Sequence, residues 1–191
     1  LSDFVVSTSQ DSGYRATNTI AATHIDTPIA DVPFNMQVIT PSFMKDIAAF
    51  DVQTALEYVP GVTAATDTGA TIRGFASSWT QRDGFQWLDP DDVVNVDRIE
   101  VVRGPSAVLY GEGQPGGFIN YVTKTPVFGQ SIQDVDVTLG SYNYKRASID
   151  YNVSSGPVAV RLLAAGYTTD SYGIPVISHP NEHNRMQMVE P

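Results

Sequence analysis

The 191-residue chain has no cysteine. That excludes disulfides and thiolate-held metals and leaves the redox compartment open. It also has no apolar run near the roughly 18 residues that a membrane helix needs. A membrane β-barrel stays open, because barrel strands alternate and never build such a run. Basic residues are scarce: 11 Lys and Arg stand against 21 Asp and Glu, a formal net charge of −10. No nucleic-acid partner is expected, since binding one needs a basic face that displaces counterions. The opening "LSDFVVSTSQ" lacks the basic start and apolar core of a signal peptide, so an exported protein would already have lost its signal.

What is present changes character along the chain. Residues 1–26 are rich in Ser, Thr, Asp and Asn and read as a mobile leader. "PFNMQVIT" then carries a short strand through Phe34, Met36 and Val38. "PSFMKDIAAF" and "DVQTALEYV" read as two short helices, with Pro41 suited to a first turn, Asp51 as N-cap and Pro60-Gly61 as the stop. "ATIRGF" and "QRDGFQW" read as short strands around a loop at 76–80. "VDRIEVVRGP" is a strand with Val96, Ile99, Val101 and Val102 buried, "PSAVLYG" a helical turn and "GFINYVTKTP" another strand. Mixed short elements over about 100 residues make an α+β domain.

After Pro126 the period becomes two. Val135, Val137 and Leu139 alternate with Asp134, Asp136 and Thr138. Ala147, Ile149, Tyr151 and Val153 alternate with Arg146, Ser148, Asp150, Asn152 and Ser154. "GSYN" and "SSGP" are turns, "VAVRLLAAGYT" is a third strand, and a fourth begins at "RMQMVEP". Strands of about ten residues with Tyr142, Tyr144 and Tyr167 near their ends fit a transmembrane barrel. Periodicity alone fits a soluble antiparallel meander equally well.

No catalytic constellation emerges. Gly111, Gly113 and Gly116 spell G-x-G-x-x-G, but a dinucleotide loop follows a strand and opens a helix. Here the order is reversed. "GPSAV" around Ser106 lacks the second glycine of a nucleophile elbow. Asp89, Asp91 and Asp92 cluster, yet Val94 stands where a calcium loop needs glycine. Pro180 breaks any helix that would align His179 with His183. Neither a cofactor nor a metal is expected. Glu100, between Ile99 and Val101, and Arg73, between Ile72 and Gly74, are charges in apolar settings, which calls for partners elsewhere.

"ATIRGF", then "RDGF", then "VDRIEVVRGPSAVLYGEGQPGGFINYVTKTP" resembles the plug domain of TonB-dependent outer-membrane receptors, of the ferric-siderophore type. The resemblance implies a leader over 1–26, a plug over 27–127 and the first three to four strands of a transmembrane barrel over 128–191. Such a barrel has about 22 strands, and four strands cannot close one.

The resemblance further implies energised uptake rather than catalysis, with a non-transport binding or assembly role on the same fold as the alternative. Asp3, Phe4, Val5, Val6 and Ser7 resemble a TonB box, which adds as a strand to TonB; TonB works with its inner-membrane energising complex. Arg73, Glu100 and Arg103 match plug charges that anchor to the barrel wall. Gly74, Gly104, Gly111, Gly116 and Gly117 are structural, letting the chain turn tightly and lie close to that wall. Trp79, Gln81, Arg82 and Trp87 match loops that meet the ligand, a small metal chelate such as a ferric siderophore. Outer-membrane lipid is the remaining partner.

Overall fold

The computed structural model describes residues 13–19, 27–32, 35–66, 69–77, 80–87, 92–104, 115–170 and 183–190, with 64–66, 69, 77 and 183–190 described by backbone alone. It divides into two compact units, Leu1–Lys124 and Thr125–Pro191.

The first unit is built around a five-stranded sheet. Its order is β3 (Asn35–Ile39), β9 (Val96–Arg103), β10 (Gly117–Thr123), β7 (Thr80–Arg82) and β8 (Phe85–Trp87). All pairings are antiparallel except β10 with β7. A three-stranded sheet joins β4 (Val62–Thr66), β5 (Gly69–Ile72) and β6 (Phe75–Ser77), and a small ribbon pairs β1 (Asn18–Thr19) with β2 (Thr27–Pro28).

Two short helices complete the unit. In α1 (Pro41–Asp46) the Thr40 hydroxyl accepts from the Phe43 amide at 3.3 Å, and Pro41 fills the first turn. In α2 (Val52–Leu56) the Asp51 carboxylate accepts from the Thr54 amide at 2.7 Å and the Thr54 hydroxyl at 2.8 Å. Helices this short are not stable alone; Met44, Val52, Ala55 and Leu56 are buried and hold them. α2 stops at Leu56, earlier than Pro60, and the turns Val59 to Leu56 and Val62 to Val59 lead into β4.

The core gathers Ile39, Met44, Leu56, Val59, Ile72, Ile99, Val101, Ile119 and Tyr121. On the sheet's opposite face Met36, Val102 and Phe118 form a second cluster.

Three sequence expectations change here. "ATIRGF" and "QRDGFQW" are each a complete hairpin, β5–β6 and β7–β8. Their turns are Arg73 with Gly74 (φ 53° and 86°) and Asp83 with Gly84 (φ 51° and 84°). Positive φ at both central residues is the requirement of a type I′ turn, whose twist suits a tight hairpin. Second, the leader is not uniformly loose. Residues 13–19 are placed, Thr19 is fully buried, and Ile29 N–H donates to Thr17 C=O at 2.9 Å. Third, the fourth strand of the second unit begins at His183, not Arg185. The helical turn expected in "PSAVLYG" lies outside the described residues.

The second unit is one antiparallel meander: β11 (Ile132–Leu139), β12 (Lys145–Ser155), β13 (Val158–Asp170) and β14 (His183–Glu190). Cross-strand partners share a face. Val135 opposes Ile149, Tyr151 opposes Leu162 and Val153 opposes Val160. This apolar face is the exposed one, with Val137 at 68% and Leu139 at 74%. On the other face Arg146 is 5% exposed and Asn152 is 0% exposed.

Candidate functional site

The expected site residues fall into three groups, and the structure treats each differently. The first is the arginine pair. Arg73 sits exposed in its I′ turn, and its N–H donates to Gly61 C=O at 2.7 Å. Arg103 ends β9, opposite Asn35. Its Nη1 donates to Asn35 Oδ1 at 3.1 Å and its Nη2 to Gln37 Oε1. Both acceptors are neutral, and Nε is buried with no partner among the described residues. Desolvation holds the Arg103 pKa below its ordinary value, and the positive charge of Arg73 adds to this. Two guanidinium groups that repel each other, with no carboxylate paired to either among the described residues, form a locus suited to an acidic side chain.

Glu100 does not join them. It is 0% exposed, and it lies on the opposite face of β9, because Arg103 is three positions away on a period-two strand. One carboxylate oxygen accepts from Arg98 Nε at 3.0 Å, the other from Asn120 Nδ2 at 3.0 Å. Asn120 Oδ1 in turn accepts from the Gly84 amide at 2.9 Å. The expected wall-facing anchor is thus a buried strut inside the first unit, linking β9, β10 and the β7–β8 turn. Asp83 secures the same turn: its carboxylate accepts from Thr123 N at 2.8 Å and Thr123 Oγ1 at 2.6 Å. From the sequence Asp83 stood out only as one charge in Arg82-Asp83-Gly84, and Asn120 was missed. Their signals were a D-G pair between strands and one amide inside the apolar run "GFINYV".

The ligand group is divided by the same alternation. Gln81 and Arg82 were both expected to meet the ligand. They are adjacent on β7 and therefore point to opposite faces. Gln81 is buried, its Oε1 without a partner among the described residues. Arg82 lies against the Trp87 ring, 5.7 Å from its centroid. Trp87 is 57% exposed, and Phe85, opposite Arg82, shares that face. The Thr80 hydroxyl donates to Trp87 C=O at 2.5 Å, closing the hairpin end.

The glycines sort by need. Gly74 serves the I′ turn, and Gly104 takes φ 105° at the end of β9. A Cβ on Gly116 would meet Ile72 O at 2.5 Å, and one on Gly117 would meet Val102 O at 2.0 Å. Their close neighbours are therefore strands of the first unit itself, where a barrel wall was expected. Asp3, Phe4, Val5, Val6, Ser7, Trp79 and Gly111 lie outside the described residues.

Residues 28–118 match the family model of the TonB-dependent receptor plug domain. The chain carries a TonB-dependent receptor plug domain. It is 35% identical over 157 residues to the ferrioxamine receptor of Yersinia enterocolitica, a match covering 73% of this chain and 22% of that protein. It is 33% identical over 159 residues to the catecholate siderophore receptor Fiu of Escherichia coli K12, covering 76% and 21%. Among solved structures it resembles the pyoverdine outer membrane receptor FpvA from Pseudomonas aeruginosa PAO1 bound to pyoverdine, with a TM-score of 0.76 and 27% identity over 85% of this chain and 26% of that one. The chain spans about a fifth of the length of the curated relatives it matches. The family is one of receptors, and its place is the outer membrane.

Proposed function

We propose that the receptor carrying this chain takes up a ferric siderophore by TonB-driven transport and is not an enzyme. One observation carries most of the weight: the plug fold is followed by a meander whose apolar face is the exposed one. A soluble sheet buries that face, and a barrel strand offers it to lipid. In this reading the second unit is the start of a β-barrel. Asp3, Phe4, Val5, Val6 and Ser7 form the strand that adds to TonB, and Arg73 and Arg103 anchor the plug to acidic groups on the barrel wall. Trp87 and Arg82, with Trp79, offer an aromatic and cationic surface to a chelate whose ligating groups are anionic. The relatives named above are receptors for such chelates.

The test uses the full-length receptor in cells stripped of their own siderophore receptors. Labelled ferric hydroxamate and ferric catecholate are supplied with TonB present or deleted. Uptake should require TonB. Val5→Pro should abolish uptake and spare binding, because proline removes a ladder donor from the pairing strand. Trp87→Ala should weaken binding itself. Saturable binding with no TonB-dependent uptake would return the non-transport alternative.

A further inference from the structure

Residues 124–131 have no regular structure, yet side chains of β12 and β13 hold the backbone between Thr125 and Gln130. Asn152 on β12 has no exposed surface. Its Oδ1 accepts from the Val127 amide at 3.0 Å, and its Nδ2 donates to Val127 C=O at 2.9 Å and to Gln130 C=O at 2.8 Å. Two positions on, the Ser154 hydroxyl accepts from the Gly129 amide at 3.0 Å. Opposite Asn152 in register stands Arg161. Its Nη1 donates to Thr125 C=O at 2.9 Å, while Nε and Nη2 hold Asp150 in a two-toothed pair at 2.8 and 2.7 Å. All four side chains share the covered face of the meander.

We infer that Asn152, Ser154 and Arg161 form a clamp that makes residues 125–130 a fixed foot on the strands, so that a pull on the leader moves the plug and ends at Lys124. Backbone groups would otherwise be satisfied by water, and a slack tether would leave them so. Here a side chain that is completely buried, with three hydrogen bonds to the segment, does the work, and a bidentate pair keeps Arg161 aimed. The opposite end of the first unit is held differently. The Thr40 hydroxyl donates to Gly13 C=O at 2.8 Å, and Tyr14, 60% exposed, rests edge-on against Phe43 at 5.3 Å. Load entering from the leader meets this exposed contact long before the buried one. The direction of load rests on the uptake reading; the clamp does not.

The experiment is amide exchange on the full-length receptor in outer-membrane preparations, at rest and during TonB-driven uptake. The Val127 and Gly129 amides should exchange slowly in both conditions, while residues 13–19 lose protection during uptake. Asn152→Ala should speed Val127 exchange at least tenfold and Ser154→Ala should speed only Gly129, each at rest. If Asn152→Ala does not assemble, Asn152→Asp, which keeps the acceptor and loses both donors, serves in its place and should loosen the 125–130 backbone similarly. Exchange at Val127 as fast as in an unstructured peptide, or accelerating together with the leader during uptake, would overturn the clamp. Failure of TonB-dependent uptake with Val127 still slow and Asn152-dependent would remove the uptake reading and leave the clamp standing.

Discussion

The two sheets of this molecule hide different faces: the first buries both faces of its central strands, and the second buries only its polar one. In the first unit Ile99, Val101, Ile119 and Tyr121 pack on one face, and on the other Val102 and Phe118 are buried beside the bonded pair Glu100 and Asn120. In the second unit Val135, Val137, Ile149 and Val160 go outward, and Arg146, Asn152 and the Asp150–Arg161 pair are covered. Period-two patterning states that a strand has two unlike faces. It does not state which solvent meets each. In the uptake reading proposed above, the second sheet offers its apolar face to hydrocarbon and keeps its polar one covered.

The sharpest way to test the comparison is to remove one acid from each covered face. Glu100→Ala removes the fully buried carboxylate that both Arg98 and Asn120 bond, and although Arg98 keeps Asp97 at 3.6 Å the loss should be about 3–5 kcal/mol, as for a broken buried pair. Asp150→Ala should cost less, about 1.5–3 kcal/mol, because Arg161 keeps the Thr125 carbonyl. Denaturant unfolding of the full-length receptor checks the order. Equal losses would mean that the two faces are covered alike.

A smaller effect comes from reversing one outward residue. Ile149→Arg puts a charge on the exposed apolar face and should disfavour membrane assembly by about 2–4 kcal/mol near mid-membrane, less near the interface. Ser148→Arg, one residue away on the covered face, should not show this depth-dependent loss. The amount of folded receptor recovered from outer membranes distinguishes them. If Ile149→Arg inserts as well as the parent, the exposed face does not meet lipid.

The sequence made much of this legible, and unevenly. The alternation of faces in the second unit could be read because both faces repeat over eight or more residues. Val96, Ile99, Val101 and Val102 were identified as buried, and Thr40, Pro41 and Asp51 lie at the helix starts as capping chemistry requires. What escaped was everything decided by cross-strand partners. Glu100 was expected to pair elsewhere because its neighbours in sequence are apolar, and the resemblance made it a wall anchor; its role is set by Arg98 and by Asn120, twenty residues on. Gln81 and Arg82 were both expected to meet the ligand, and adjacency in a strand means opposite faces. Asn152 looked like one polar position among five, and only the course of residues 125–130 makes it different.

The glycines sharpen the comparison at a lower cost. Gly117→Ala would drive a Cβ to 2.0 Å from the Val102 carbonyl at φ 124°, so β9 and β10 must part locally. A loss of about 1–3 kcal/mol follows from overpacking of this kind, with more if β10 loses its register. Gly166→Ala in β13 meets nothing within 4 Å and should be close to neutral. Thermal unfolding of the two variants side by side measures the gap, and a neutral Gly117→Ala would show that the first sheet is less tightly built than its geometry states.

The smallest effect lies at the leader's contact with α1. The Tyr14 hydroxyl donates to Asp46 at 2.5 Å. That hydrogen bond raises the Tyr14 pKa above 10.0, with smaller contributions from desolvation and the Asp46 charge. A raised pKa in the folded state means that the folded chain holds the proton more tightly than the unfolded chain. The contribution is therefore fully present below pH 10 and is lost as pH rises through the shifted value. Ultraviolet difference titration of parent against Tyr14→Phe should isolate one phenol ionising above the ordinary tyrosine range. Tyr14→Phe should keep the edge contact with Phe43 and leave the core of the first unit as stable as before. A phenol titrating at or below 10 would mean that Tyr14 is not held by Asp46 and rests on α1 through its edge contact with Phe43, beside the Thr40 hydroxyl on Gly13.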